Sequence, residues 1–140
     1  MGHVTPEIAV LHNRATNERD SVALRALYHE DAVNIDPTRV MRGLDQIMAS
    51  FQQMWSAFGE LEFEMGPVAV GDEYGFANEW TARGQHTGAY VMPDGQQLPA
   101  TGRRIEIQGG TFFELRDGKI SRQRDYFDVL GWMQQLGIAG

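Results

Sequence analysis

At 140 residues with 42% apolar content, three Trp, four Tyr and seven Phe, the chain has enough apolar side chains for one core, and a single domain over residues 1–140 is expected. A net charge of −7 with no basic run argues against a nucleic-acid partner, and zero cysteines exclude disulfides, thiolate metal sites and cysteine nucleophiles. No 18-residue apolar run and no signal-peptide pattern at the start are present, so no membrane association and a cytoplasmic protein are expected.

Thr5 and Pro6 open the first predicted helix as cap and first-turn residue, with Ile8, Leu11, Ala15 and His12 on one side. Asp20 caps a second helical stretch running to Tyr28. His29 to Asp31 join it to a short strand, Ala32 to Ile35, ended by Pro37. Gly43 precedes the clearest helix, in which Leu44, Ile47, Met48, Phe51, Met54, Trp55 and Phe58 recur at three- and four-residue spacings before Gly59. Leu61 to Val70 alternates loosely, and Pro67 suggests an edge or a bulge. After a turn at Gly71–Glu73 comes a strand from Tyr74 to Arg83. A loop region from Tyr90 to Gly102 follows, with turns around Pro93-Asp94-Gly95 and Pro99.

The strongest pattern lies between residues 104 and 128. Ile105, Ile107, Thr111, Phe113 and Leu115 alternate with Glu106, Gln108, Phe112 and Glu114, and Asp117-Gly118 supplies a tight turn. Lys119 to Phe127 returns antiparallel, carrying Arg122, Gln123, Arg124 and Asp125 in succession. Polar residues on both faces of a strand need solvent on one side and a satisfied network or a cavity on the other. Gly109-Gly110 reads as a bulge or bend that lets the long strand curl. Val129 to Leu136 forms a last short helix. Helices first and strands afterwards, without βαβ alternation, indicate an α+β fold: N-terminal helices packed on a strongly curved, mostly antiparallel sheet.

The run Glu79 to Gly88, then Leu98 to Arg104, Arg116 to Ile120 and Gln135-Leu136-Gly137 resemble the SnoaL-like polyketide cyclases of the NTF2-like superfamily over most of the chain. The stretch Arg122 to Asp128 also resembles the last strand of the limonene epoxide hydrolase group. The resemblance implies a cone-shaped α+β homodimer with an internal pocket. It implies ring closure of a small hydrophobic or polycyclic substrate by intramolecular aldol condensation, without metal or organic cofactor. The proton-transfer carboxylate of both groups falls on Asp125. Other positions depart from the pattern. Thr111 stands where some cyclases carry His, and Glu79 and Thr81 fall nearest the Arg and second Asp of the hydrolases. Asn34 and Asp36 match the hydrolases' Tyr and Asn.

The candidate catalytic residues are therefore Asp125, His86 and Asn34. His86 lies next to a Trp-containing strand and a Gly-rich loop, whereas His12 and His29 read as structural and His3 lies in the tail. Trp55, Trp80, Tyr90, Phe112, Arg124, Glu79 and Thr111 are candidate substrate-binding residues, together with Met54 as a further apolar wall. There is no HExxH and no close pair of histidines that would make a metal site. Cyclase, epoxide hydrolase and non-catalytic small-molecule binder remain the three functional readings.

Overall fold

The structure, a computed structural model, describes residues 6–92 and 94–138. Thr5, His3 and Pro93, to which the sequence assigns a cap, a tail and a loop, lie outside the described residues. The elements are helices α1 (Glu7–Glu18) and α2 (Ser21–Arg25), strands β1 (Tyr28–Asp36) and β2 (Arg39–Arg42), helix α3 (Leu44–Ala57), strands β3 (Phe58–Asp72), β4 (Gly75–His86), β5 (Tyr90–Val91), β6 (Gln97–Leu98), β7 (Arg104–Arg116) and β8 (Lys119–Phe127), and helix α4 (Val129–Gln135).

Six strands form one sheet in the order β2-β1-β8-β7-β4-β3, and β5 and β6 pair separately. All neighbours in the large sheet are antiparallel except β1 and β8, which run parallel with Asn34 opposite Gln123. The sheet is thus mixed and open, with β2 at one edge and β3 at the other. This corrects the expected strongly curved sheet and cone: the α+β NTF2-like order of elements is present, but the sheet is not strongly curled or closed. No bulge interrupts the pairing of β7 with β4 at Gly109-Gly110, since their register is continuous past both glycines. Three register irregularities fall on the β3–β4 pairing, including one between Met65 and Val68 that spans Pro67, where a missing N–H is tolerated at an edge, and one each on β1–β8 and β7–β8.

The long hairpin forms as its pattern predicts. Asp117 and Gly118 have φ of 51° and 78°, the paired left-handed conformations of a two-residue turn whose twist suits antiparallel strands. Other boundaries move. Tyr28 to Asp31 belong to β1 rather than to a helix and a linker, and β2 was not foreseen. Pro6 occupies the cap position of α1, and Asp20 caps α2 by accepting from the Ala23 N–H at 3.0 Å. Helix α3 stops at Ala57, since Phe58 is already extended, and Gly59 lies inside β3.

Helix α3 buries Leu44, Ile47, Met48, Phe51 and Trp55 on the predicted side. These join Ala9, Leu24, Tyr28, Phe76, Phe113 and Ile120 in one apolar cluster. A second cluster gathers Phe58, Leu61, Ala82, Tyr90, Ile105, Trp132 and Leu136. Residues of both clusters wall one cavity.

Candidate active site

The cavity has a volume of about 210 Å³ and opens between the inner face of the sheet, α1, α3 and α4. Alternation on the strands decides what lines it. On β8 the side chains of Gln123, Asp125 and Phe127 face inward; on β7 those of Ile105, Ile107, Thr111 and Phe113; on β4 those of Asn78, Trp80 and Ala82. Phe51 and Met54 come from α3, Phe63 and Met65 from β3, and Trp132 from α4. The walls are mainly aromatic and aliphatic.

Asp125 is the carboxyl group set into this wall, and two chains of hydrogen bonds converge on it. The Trp80 indole N–H donates to Thr111 Oγ1 at 2.8 Å, and the Thr111 hydroxyl donates to Asp125 Oδ1 at 2.6 Å. An indole can only donate, so Thr111 is left with its own proton for the carboxylate. From the other side, Gln123 Nε2 donates to Oδ1 at 3.1 Å and to Oδ2 at 3.3 Å. Among the described residues no cation forms a salt bridge with it, and Arg39, which lines the same cavity, lies against Asp36. Arg122 lies 3.6 Å from Glu114, and Arg124 sits over the Phe112 ring at 5.7 Å. Burial therefore raises the Asp125 pKa to about 6; the Thr111 and Gln123 hydrogen bonds pull it back, and the negative charge of Asp36 adds a smaller push upward.

Asp36 and Arg39 line the same cavity at the end of β1 and start of β2. Asp36 Oδ1 accepts from the Thr38 N–H and hydroxyl, both at 2.7 Å, and from the Arg39 N–H at 3.1 Å. Its Oδ2 lies 3.8 Å from Arg39 Nε, while Arg39 also donates to Gln53 Oε1 at 3.1 Å.

The candidate residues divide by strand face. Asp125, Asn34, Trp80, Tyr90, Thr111 and Met54 all line the cavity. Asn34 is 2% exposed, and its Nδ2 donates to Gln123 Oε1 at 3.4 Å. Phe112, Arg124 and Glu79 alternate onto the outer face, where Phe112 is 48% exposed, and they do not reach the cavity. Trp55 is core, donating its indole N–H to the Thr16 carbonyl at 3.2 Å. His86 is fully buried outside the cavity: its Nδ1 accepts from the Thr101 N–H at 3.1 Å and meets the Thr101 hydroxyl at 2.9 Å, and its ring packs tilted against Phe58 with centroids 5.3 Å apart. It packs beside Phe58 of the second cluster and is not among the residues that line the cavity.

Gln123, Tyr28, Phe127 and Trp132 belong to the site or its support without being candidates from the sequence, and so does His12, which the sequence reads as structural. Gln123 and Phe127 could have been found, since they flank Asp125 at a spacing of two on a strand. Tyr28 and His12 could not, because only tertiary packing brings them to Gln123.

A buried, cation-free carboxyl in an apolar cavity, held between an open α+β sheet and its helices, defines a small-molecule cavity protein of the NTF2-like class. The chain belongs to the SnoaL-like polyketide cyclase family, whose model matches residues 7–136. Among solved structures, a protein assigned as a SnoaL-like polyketide cyclase from Jannaschia sp. CCS1 superposes with a TM-score of 0.84 at 18% identity, covering 100% of both chains. TsrD from Streptomyces laurentii follows with a TM-score of 0.80 at 25% identity over 94% of this chain and 93% of its own. A protein assigned as a polyketide cyclase from Pseudomonas putida KT2440 gives 0.76 at 24% identity, over 96% and 98%. No curated protein matches the chain.

Proposed function

We propose that the protein closes a ring in a polyketide-type substrate by intramolecular aldol condensation, with Asp125 as general base and then general acid. The observation that carries this reading is Asp125 itself: a carboxyl without a cation partner, facing an apolar cavity, whose pKa of about 6 suits proton exchange near neutral pH. Asp125 takes a proton from a carbon flanked by carbonyl groups, and the enolate carbon attacks a second carbonyl of the same molecule. The new alkoxide then recovers the proton from Asp125. The reaction stops at this aldol addition without loss of water, so product and substrate have equal mass. Asn34 and Tyr90 are the cavity-lining residues whose N–H and O–H groups are suited to the developing enolate oxygen.

Hydrolysis of an epoxide by Asp-activated water fits less well. Glu79 and Thr81, the positions nearest the hydrolases' Arg and second Asp, alternate away from the cavity, so no arginine supports Asp125 from β4. A purely binding role would give no use for a buried carboxyl held by Thr111 and Gln123 and paired with no cation. Incubating the purified protein with polyketide methyl esters bearing β-dicarbonyl groups, and separately with terpene epoxides, tests the reading by product mass. Cyclised product of unchanged mass, formed by wild type and not by Asp125→Asn, is expected. Addition of water to the epoxide, or equal turnover by Asp125→Asn, would overturn it.

A further inference from the structure

Behind Asp125 a second row of polar groups runs from the sheet into α1. His12 Nε2 lies 2.7 Å from the Tyr28 hydroxyl, the Tyr28 hydroxyl donates to Gln123 Oε1 at 2.5 Å, and Gln123 Nε2 contacts both oxygens of Asp125. The polarity of this row follows from donor counting. Tyr28 has one proton and gives it to Gln123, so it accepts from His12, which carries its proton on Nε2. Burial lowers the His12 pKa to about 4 and drives that of Tyr28 far above its usual value, so both stay neutral at pH 7. His12 is fixed edge-on against Phe113, Tyr28 and Phe51. Asn34 Nδ2 supplies a second donor to the same Gln123 oxygen at 3.4 Å.

A glutamine amide can rotate end for end, and one orientation would turn its carbonyl oxygen toward the Asp125 carboxylate, where two acceptors repel. We propose that Tyr28, oriented by His12, is a positioning residue that locks the Gln123 amide with its N–H groups toward Asp125. The hydroxyl holds Oε1, so the only remaining end of the amide is the donor. Tyr28 does not line the cavity and reaches Asp125 only through the Gln123 amide, and Asp125 Oδ1 is occupied by Thr111 and Gln123 while Oδ2 keeps only the longer contact. The other titratable or charged groups facing Asp125 from its packed neighbours are Asp36, Arg39 and Tyr90, among the described residues; α3, β3, β4 and β7 present none to the cavity. The effect on turnover rests on the assignment of Asp125 as the base, whereas the lock itself does not.

Titration of the Asp125 carboxyl by 13C NMR in the ligand-free protein, identified by its disappearance in Asp125→Asn, tests the lock without any substrate. Wild type should titrate near pH 6. Folded Tyr28→Phe should titrate higher by about one unit, the shift expected when an ionised group gives up a hydrogen bond. An unchanged or lower midpoint overturns the proposal. Gln123→Leu should give a similar rise, and because Tyr28 acts only through this amide, the double variant should move no further than Gln123→Leu alone. Additive shifts overturn it, and so does an unmoved Gln123→Leu where Tyr28→Phe fails to fold. Loss of activity in Asp125→Asn is read separately, so the lock and the base assignment fall independently.

Discussion

Burial among Phe127, Phe63, Trp80 and Ile107 disfavours the charged form of Asp125, and the folded chain carries that cost whenever the group is ionised. Its pKa is about 6 in the fold against 3.8 for the ordinary side chain, so between those values the folded state holds more protons than the unfolded one. Stability contributed by this residue therefore falls as pH rises through that window, by roughly 1–3 kcal/mol once water in the cavity is allowed for. His12 works in the opposite sense. With its pKa lowered to about 4 from 6.5, its contribution is lost as pH falls from 6.5 toward 4, and the two partly cancel. Asp125→Asn removes one side of the balance. The variant should melt a few degrees above wild type at pH 7.5 while kcat falls by about 10²–10⁴. A calorimetric scan beside turnover on a verified substrate checks both, and a lower melting temperature would contradict the buried-charge account. In wild type, kcat/KM should climb through about pH 6 and level off above it, because only the ionised carboxyl accepts a proton; a flat profile from pH 5 to 8 would count against Asp125 as base.

At the scale of the strands, β4 and β7 hold the site through one close approach. Trp80 and Gly109 are register partners, and the indole lies across the glycine so closely that a Cβ there would fall 2.4 Å from Trp80 Cζ2. The missing side chain lets Trp80 lie where its N–H meets Thr111. The glycine pair that suggests a bend in the sequence therefore seats an indole in the structure. Gly109→Ala must displace the ring, and a loss of roughly 10–10² in kcat is expected from misplacing Thr111 and the carboxyl behind it. Overpacking should also lower stability by about 1–3 kcal/mol. Tryptophan fluorescence and kcat measured together check this: a shifted emission with unchanged turnover would show that the Trp80–Thr111 prop is dispensable. The turn at residues 117 and 118 is a local matter by comparison. Gly118 has φ of 78°, so Gly118→Ala should cost on the order of 1 kcal/mol in a denaturant melt and leave kcat unchanged.

Over the molecule as a whole, the sheet keeps one face for the cavity and leaves the other with aromatic side chains in solvent. Phe112 is 48% exposed and Tyr126 53%, their rings edge to face at 6.0 Å, with the Arg124 guanidinium over Phe112. This face is the one expected to meet a second copy, since two sheets can cover apolar area that a monomer exposes. Sedimentation equilibrium at micromolar concentration should give a dimer for wild type and a monomer for Phe112→Asp/Tyr126→Asp, with the cavity and the Asp125 titration unchanged. A concentration-independent wild-type monomer would end the idea.

The features that could be read from the chain are those set by local periodicity. The hairpin turn, the apolar side of α3 and the Asp20 cap depend on residues a few positions apart, and they form where the pattern puts them. Asp125 could be singled out because a polar run on a strand must bury one of its faces. Which face was not legible: strand alternation sends Arg124, Phe112 and Glu79 outward and Gln123 and Trp80 inward, and only pairing and helix placement decide which side is covered. His86 reads as a site residue from its neighbours in the chain, yet the 101–103 segment folds back to hydrogen-bond it, and it does not line the cavity. The openness of the sheet likewise depends on what β2 and β3 fail to pair with, a relation between edges with no local signature. The row from His12 to Asp125 ends in a local step of 2 positions on β8, but its first two bonds join residues 16 and 95 positions apart and exist only once packing has brought their ends together.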